Sequence, residues 1–455
     1  MRLAGPAGPA THAGPEHDAA RLSLLRQVWR RTVSHAGRTF SALQNRHFRR
    51  LWLGYLPSTI AFQMGQVASG YLVYSLTGSA TVLGLMGLAW SIPLLLFSLI
   101  GGVVADRVPR RNLVLASQCI IGTMAAITAV LVITGWVQVW HLFALGLVQG
   151  TVFSFNMPAR QAFIAELVGK DDLMNAIALQ NAALNLSSIA GPALAGYLIA
   201  LPAVGVGGVY VLMAMANALV FLTLIGLPAG ASRGATRRPG LEELTAGLRF
   251  IYYSPPLRTL LLMAVIPMFL GMPYMTLLPV FALSVLRAGS EGLGLLSGAN
   301  GIGALAGSLL VAAWGNAPRK ALLQLSVGIM YGLALIVFAL AGTLPLAMLT
   351  LVVVGLAASA YRSVNSTLIM GYTPPELHGR VMSVYLMTFA LMPLSSVPAG
   401  ALADRIGPQV TVGGAGVLLA VSILAIARLH PAHHDAAPLS SLSTRVEEHA
   451  GTVEA

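Results

Sequence analysis

One apolar segment carries Tyr55, Thr59, Gln63, Gln66 and Tyr74, with Gly70 among them. Successive members are three or four residues apart, so on a helix they form a single polar stripe. The chemistry this offers is hydrogen bonding, either to a substrate in a cavity or to a neighbouring helix. Asn181, Asn185 and Ser188 repeat the pattern at intervals of four and three, and the same two readings apply. The run Ser187-x-x-x-Gly191-Pro192-x-x-Ala195-Gly196 follows, placing Gly and Pro where they weaken a helix and let a neighbour approach closely. Met268, Met272, Met275, Met382, Met387 and Met392 suit either an adaptable pocket for apolar ligands or core packing.

Other chemistries lack their residues. None of the 15 Asp and Glu lies in the middle of an apolar run, and no His does, so no buried carboxylate offers a proton site. The candidates for proton coupling are carboxylates at the edges of runs: Asp106, Glu166 and Asp404. No Walker loop is present, and Gly298-x-x-Gly301-x-Gly303 follows no strand, so it is no dinucleotide fingerprint. His430, His433, His434 and Asp435 cluster in a polar tail whose composition argues against a metal site. No nucleophile or acid–base constellation argues for an enzyme, and no cofactor is expected.

The elements that must position these groups are membrane spans. Of the 455 residues, 56% are hydrophobic and 9% charged, against about 25% charged in soluble proteins. The mean hydropathy is +0.78. This excludes a soluble enzyme, a disordered chain and a disulfide scaffold, and the single Cys119 reads as a buried thiol in an apolar run. A helix crosses about 30 Å of hydrocarbon in about 20 residues. Twelve such runs stand out, at roughly 51–76, 82–104, 113–135, 140–158, 174–200, 206–228, 259–285, 292–314, 321–342, 345–366, 380–402 and 409–428. The expected fold is an all-α polytopic membrane protein with twelve transmembrane helices in two six-helix, pseudo-symmetric halves.

Lys and Arg set the orientation. With the N-terminus in the cytoplasm, 25 of the 27 fall on the cytoplasmic side, and Arg287 and Arg405 fall outside. The net charge of +12 is therefore topology and not a nucleic-acid footprint. Both termini are expected to be cytoplasmic. The division is an N-tail (1–48), a first half (49–228), a cytoplasmic linker (229–258), a second half (259–428) and a C-tail (429–455). The linker holds an amphipathic helix with Leu241, Leu244, Leu248 and Ile251 on one face. Leu83-Gly84-Leu85-Met86 matches Leu293-Gly294-Leu295-Leu296, and Pro109-Arg110-Arg111 matches Pro318-Arg319-Lys320. These matches indicate a duplication, with a cavity between the halves as the natural substrate site.

Gly102-Val103-Val104-Ala105-Asp106-Arg107-Val108-Pro109-Arg110-Arg111 resembles the signature loop of the major facilitator superfamily, with Pro109 in place of a glycine. Arg49-Arg50-Leu51-Trp52-Leu53-Gly54, Pro158-Ala159-Arg160-Gln161-Ala162 and Gly379-Arg380-Val381-Met382 are similar to the branch that contains the enterobactin exporter. Gln149-Gly150 resembles an exporter motif whose arginine position is Gly146 here. The resemblance implies a monomeric secondary active transporter in a bacterial inner membrane. It would export small amphiphilic, drug- or siderophore-like molecules by alternating access, with protons as candidate coupling ions. The alternatives are an importer of a small metabolite and a non-transporting membrane partner or sensor. The resemblance also sets Asp106 against the start of the eleventh span, near Gly379 and Arg380. There Asp106, Arg107, Arg110, Arg111 and Arg380 would gate the cytoplasmic side, together with the bend at Gly191 and Pro192. Gly400-Ala401-Leu402-Ala403-Asp404-Arg405-Ile406-Gly407 looks like a second signature loop, but span counting puts it outside, as an outer-loop cap.

Overall fold

The computed structural model describes residues 41–228, 241–314 and 320–429. Among these residues there is no strand. The first half is α1 (Arg46–Thr77), α2 (Ala80–Arg107), α3 (Arg110–Ile133), α4 (Val139–Gly169), α5 (Asp172–Ala200) and α6 (Gly205–Ile225). A shorter helix, α7 (Leu241–Tyr253), leads into the second half. That half is α8 (Pro255–Val285), α9 (Gly289–Ala313), α10 (Lys320–Ala339), α11 (Leu344–Gly371), α12 (Pro375–Ile406) and α13 (Pro408–Leu429). Eleven of these helices are long and apolar enough to cross a membrane. The twelfth is α1, whose 32 residues reach about 48 Å. Its polar stripe lowers its hydropathy, and it packs between α5 and α6 like a core helix.

The duplication is visible in the packing. In the first half α4 crosses α2 at Gly150, where a Cβ would meet the Trp90 carbonyl. In the second half α11 crosses α9 at Gly355, where a Cβ would meet the Asn300 carbonyl. Each fourth helix therefore closes on its second helix through a glycine that removes the steric barrier to backbone contact.

Helix α4 runs past the expected end near 158. Pro158 forfeits one backbone bond, yet packing on α1 and α2 keeps the helix going until Gly169, whose φ of 73° ends it. Arg160 consequently lies inside a membrane helix, where charge counting puts a connection. Arg362 is likewise inside α11. Cys119 departs from expectation too. It is exposed on α3, on a surface that lipid would cover. On α7, Ile251 is buried and Gly247 abuts the Arg380 backbone, whereas Leu248 is exposed. The side chains of Leu241 and Leu244 lie outside the described residues, as do the histidine cluster, residues 1–40 and 430–455 of the tails, and residues 229–240 of the linker.

Among the described residues, the close contacts between the halves run from one end toward the middle of the helices. There α2 packs on α12 and α5 packs on α9. A Cβ on Gly84 would sit 2.5 Å from the Ser396 oxygen, and one on Gly294 would sit 2.7 Å from the Pro192 oxygen. Reciprocally, Gly400 faces the Ala80 carbonyl, and Gly196 would place a Cβ 2.5 Å from the Ser290 oxygen. Asp404 of α12 accepts from Ser79 Oγ (2.7 Å), Ala80 N (2.7 Å), Thr81 N (2.9 Å) and Thr81 Oγ1 (2.6 Å) at the start of α2. Tyr74 and Ser284 bond at 2.7 Å between α1 and α8. At the opposite end the same faces are open: Leu95 on α2, and Leu386 and Phe389 on α12, are exposed. A cleft closed at the Asp404 end and open at the Arg110 end follows.

Candidate functional site

The cleft wall begins with the anchoring of α1. The Asn45 side chain caps the helix by accepting from His47 N (2.9 Å) and Phe48 N (3.3 Å), and donates through Nδ2 to the Leu167 carbonyl at 2.7 Å. Trp52 Nε1 donates to the Leu179 carbonyl at 3.2 Å. These bonds fix α1 against α4 and α5 and place Tyr55 over Arg160. The guanidinium carbon lies 5.1 Å from the Tyr55 ring centroid, within cation–π range. Tyr55, Arg160 and Gln180 line one small crevice with Phe48, Leu51, Trp52 and Ile164.

The polar stripe divides along its length. Thr59 is buried and bonds Ser187 Oγ at 2.7 Å, so it joins α1 to α5. Gln63 is half-buried beside Gly191, where a Cβ would lie 2.6 Å from the Gln63 Cβ. Gln66 is exposed, one turn from Gly70, whose Cβ position touches Pro279 of the other half. Gln66 therefore faces the second half across the cleft. On α5, Ser188 meets Gly301 of α9, and the same face continues as exposed Asn185 and Asn181. Neither Gln63, Gln66, Asn181 nor Asn185 has a side-chain hydrogen bond among the described residues. Four amides are thus presented to the cleft with free donors and acceptors. Met268 and Met272 are buried, the latter against the Tyr331 hydroxyl at 3.8 Å, whereas Met275 and Met387 are exposed.

The charged cluster works mostly within its own half. Arg110 pairs with Glu166 at 3.2 Å and also donates to the Ala162 carbonyl, tying α3 to α4. Arg111 donates to the Leu227 carbonyl at 2.7 Å, satisfying the end of α6. Arg107 is exposed, and Arg380 supports Gly247 of α7. Asp106 sits in the last turn of α2, and its side chain lies outside the described residues. Gly191 packs on α1, while the Pro192 carbonyl meets Gly294 across the halves.

Three groups escaped the sequence reading: Arg160, Gln180 and Arg362. Arg160 follows a proline closely, which reads as a helix end. Gln180 sits one residue off the Asn181 stripe, and only the fold turns it toward Tyr55. Arg362 lies within electrostatic reach of Tyr274, Tyr331 and Tyr385, which come from three other helices.

A family model described as transmembrane secretion effector matches residues 37–453. The multidrug efflux pump Tap of Mycolicibacterium fortuitum is 29% identical over 358 residues, covering 76% of this chain and 86% of that protein. The enterobactin exporter EntS of Citrobacter koseri is 28% identical over 316 residues, covering 69% of this chain and 71% of that protein. Among solved structures, a bacterial homologue of the human lysosomal transporter Spinster, inward-facing and unoccupied, superposes with a TM-score of 0.64. It covers 86% of this chain and 97% of that one at 16% identity, which shows a shared fold.

Proposed function

The chain belongs to the transmembrane secretion effector family of the major facilitator superfamily, and we propose that it exports small amphiphilic molecules by alternating access. The observation that carries this reading is the cleft, sealed at the Asp404 end and open at the Arg110 end. The charge bias supports setting the open end and both termini in the cytoplasm of a bacterium. The halves 49–228 and 259–428 would rock about the linker, each as one body, in a monomer. Amphiphiles would enter from the cytoplasm or inner leaflet and meet the amides of Gln63, Gln66, Asn181 and Asn185. For proton coupling the available carboxylates are Asp106, Glu166 and Asp404, all at helix ends. The gating role of Asp106 and Arg380 belongs to the opposite, outward-open state, in which the Arg110 end closes. We read the protein as a transporter and not as an enzyme, and the free amides of the cleft support that reading.

Cellular accumulation of a fluorescent amphiphile tests the direction. Cells that carry the protein should retain less dye than cells without it; greater retention means import. A reporter placed at Gly234 should stay inaccessible from outside intact cells, and labelling there overturns the orientation. Gln63→Ala with Gln66→Ala should lower transport about tenfold at normal membrane abundance. This matches the loss of one or two hydrogen bonds at about 1 kcal/mol each. Failure of that variant to accumulate would assign the two amides to packing.

A further inference from the structure

Arginine inside a membrane helix is costly and is normally paired. Arg160 and Arg362 have no hydrogen bond or ion pair among the described residues, and Arg160 Nε is buried with nothing to donate to. The described ion pair, Arg110 with Glu166, engages neither of them. The two arginines occupy corresponding places. Arg160 is nine residues before Gly169, where α4 ends, and Arg362 is nine residues before Gly371, where α11 ends. Each therefore lies about 14 Å from the open end of the fourth helix of its half. Aromatic side chains stand near both: Tyr55 and Trp52 beside Arg160, and Tyr274, Tyr331 and Tyr385 within electrostatic reach of Arg362. Phenols near neutral pH carry no charge to balance a guanidinium.

We propose that Arg160 and Arg362 are the acid-recognition groups of this transporter, one on each half, and that its substrates are amphiphilic organic acids. This rests on the export reading above and names the substrate class of the same cleft. The guanidinium is a planar fork that matches a carboxylate through two parallel hydrogen bonds. The orphaned Nε of Arg160 is one of the donors that such a pair would use, and Gln180 and Tyr55 supply further polar contacts to the same head group. The apolar side chains exposed toward the open end, Leu95, Leu386 and Phe389, accept the apolar or aromatic body of the molecule. The cations lie on opposite halves, so an acid held by Arg160 draws Arg362 toward it as the Arg110 end closes. Substrate thereby favours the closed state through a differential contact, as alternating access requires. The empty protein keeps two unpaired cations, whose mutual repulsion favours the open cleft.

The test uses the full chain in proteoliposomes with two matched probes, a fluorescent aryl carboxylate and its methyl ester. Wild-type protein should bind and export the acid at least about tenfold better than the ester. Arg160→Gln and Arg362→Gln should each weaken acid binding roughly thirty-fold and ester binding by a far smaller factor, so that the preference for acid over ester is lost. Both variants should unfold within a few degrees of wild type, because among the described residues neither removes a hydrogen bond or an ion pair and Arg160→Gln gives up only the cation–π contact with Tyr55. Arg160→Lys keeps the charge without the fork and should recover part of the affinity. Equal handling of acid and ester overturns the proposal, as does export of the ester alone or of neither probe. A loss of stability without selective loss of acid binding also overturns it, since it marks the arginines as structural. A cationic fluorescent amphiphile separates the two readings: its export by wild type keeps the exporter reading when the acid proposal fails, and its retention along with both probes removes both.

Discussion

Gly294→Val should leave the bundle unable to close at the Asp404 end. The Cβ of any side chain there would sit 2.7 Å from the Pro192 oxygen and 2.8 Å from the Gly196 Cα. Ordinary contact begins near 3.4 Å, so α9 must retreat from α5 by several tenths of an ångström before the valine methyls are accommodated. Overpacking of this kind costs about 1–3 kcal/mol. Two conformations that differ by a few kcal/mol will exchange their populations under that load. The opposite state, in which α5 and α9 part, relieves the clash at no such cost. A cysteine at Ser396, which is 2% exposed, reports the change when Cys119 is first replaced by alanine. It should react with an impermeant thiol reagent about tenfold or more faster in the Gly294→Val protein, and transport should fall to near background. Gly84→Val, 210 positions earlier on the symmetry-related seam, should do the same, read by a cysteine at Ser290. Gly102→Val is the control, because nothing lies within 4 Å of a Cβ there. Unchanged labelling with normal transport in both seam variants would show that the seams do not set the resting state.

The sequence shows that Gly84 and Gly294 repeat, but not what they do. The repeat is a local pattern, and their neighbours, Ser396 and Pro192, lie on the other half of the chain. The twelve helices were legible because length and apolarity act within one segment. The stripe on α1 was legible for the same reason. Which of its members faces the cleft was not, because Thr59 and Gln66 differ only in what lies opposite, Ser187 in one case and the other half in the second. Arg160 was hidden by a sound rule, and Arg362, although inside the run 345–366, was counted with the cytoplasmic charge. Arginine in membrane proteins does gather in connections, and only packing carries α4 beyond Pro158. The loop Gly400-Ala401-Leu402-Ala403-Asp404 read as a cap on chain position alone; that Asp404 reaches α2 follows from the closure of the halves.

Asp404→Asn should open the same end by removing an attraction instead of adding a clash. The carboxylate accepts four hydrogen bonds from three consecutive residues, including the backbone N–H groups of Ala80 and Thr81. First-turn N–H groups have no partner inside their own helix and carry its positive end. Asp404 satisfies them from the other half of the protein, so the bond is a lock between halves as well as a cap. An asparagine offers one acceptor oxygen and no charge. Losing a cap costs about 0.5–2 kcal/mol, and the exposure of Asp404 screens the charge toward the lower part of that range. A shift of about 1 kcal/mol still changes the ratio of the two states about fivefold. The cysteine at Ser396 should label about fivefold faster, while the unfolding temperature changes little, because water satisfies the freed N–H groups in the open state. Thr81→Val removes the 2.6 Å partner and should produce a smaller shift in the same direction. If the two groups act through one contact, the double variant should fall short of the sum of the single effects. Additive shifts, or a loss of thermal stability with no change in labelling, would make Asp404 a helix cap with no part in gating.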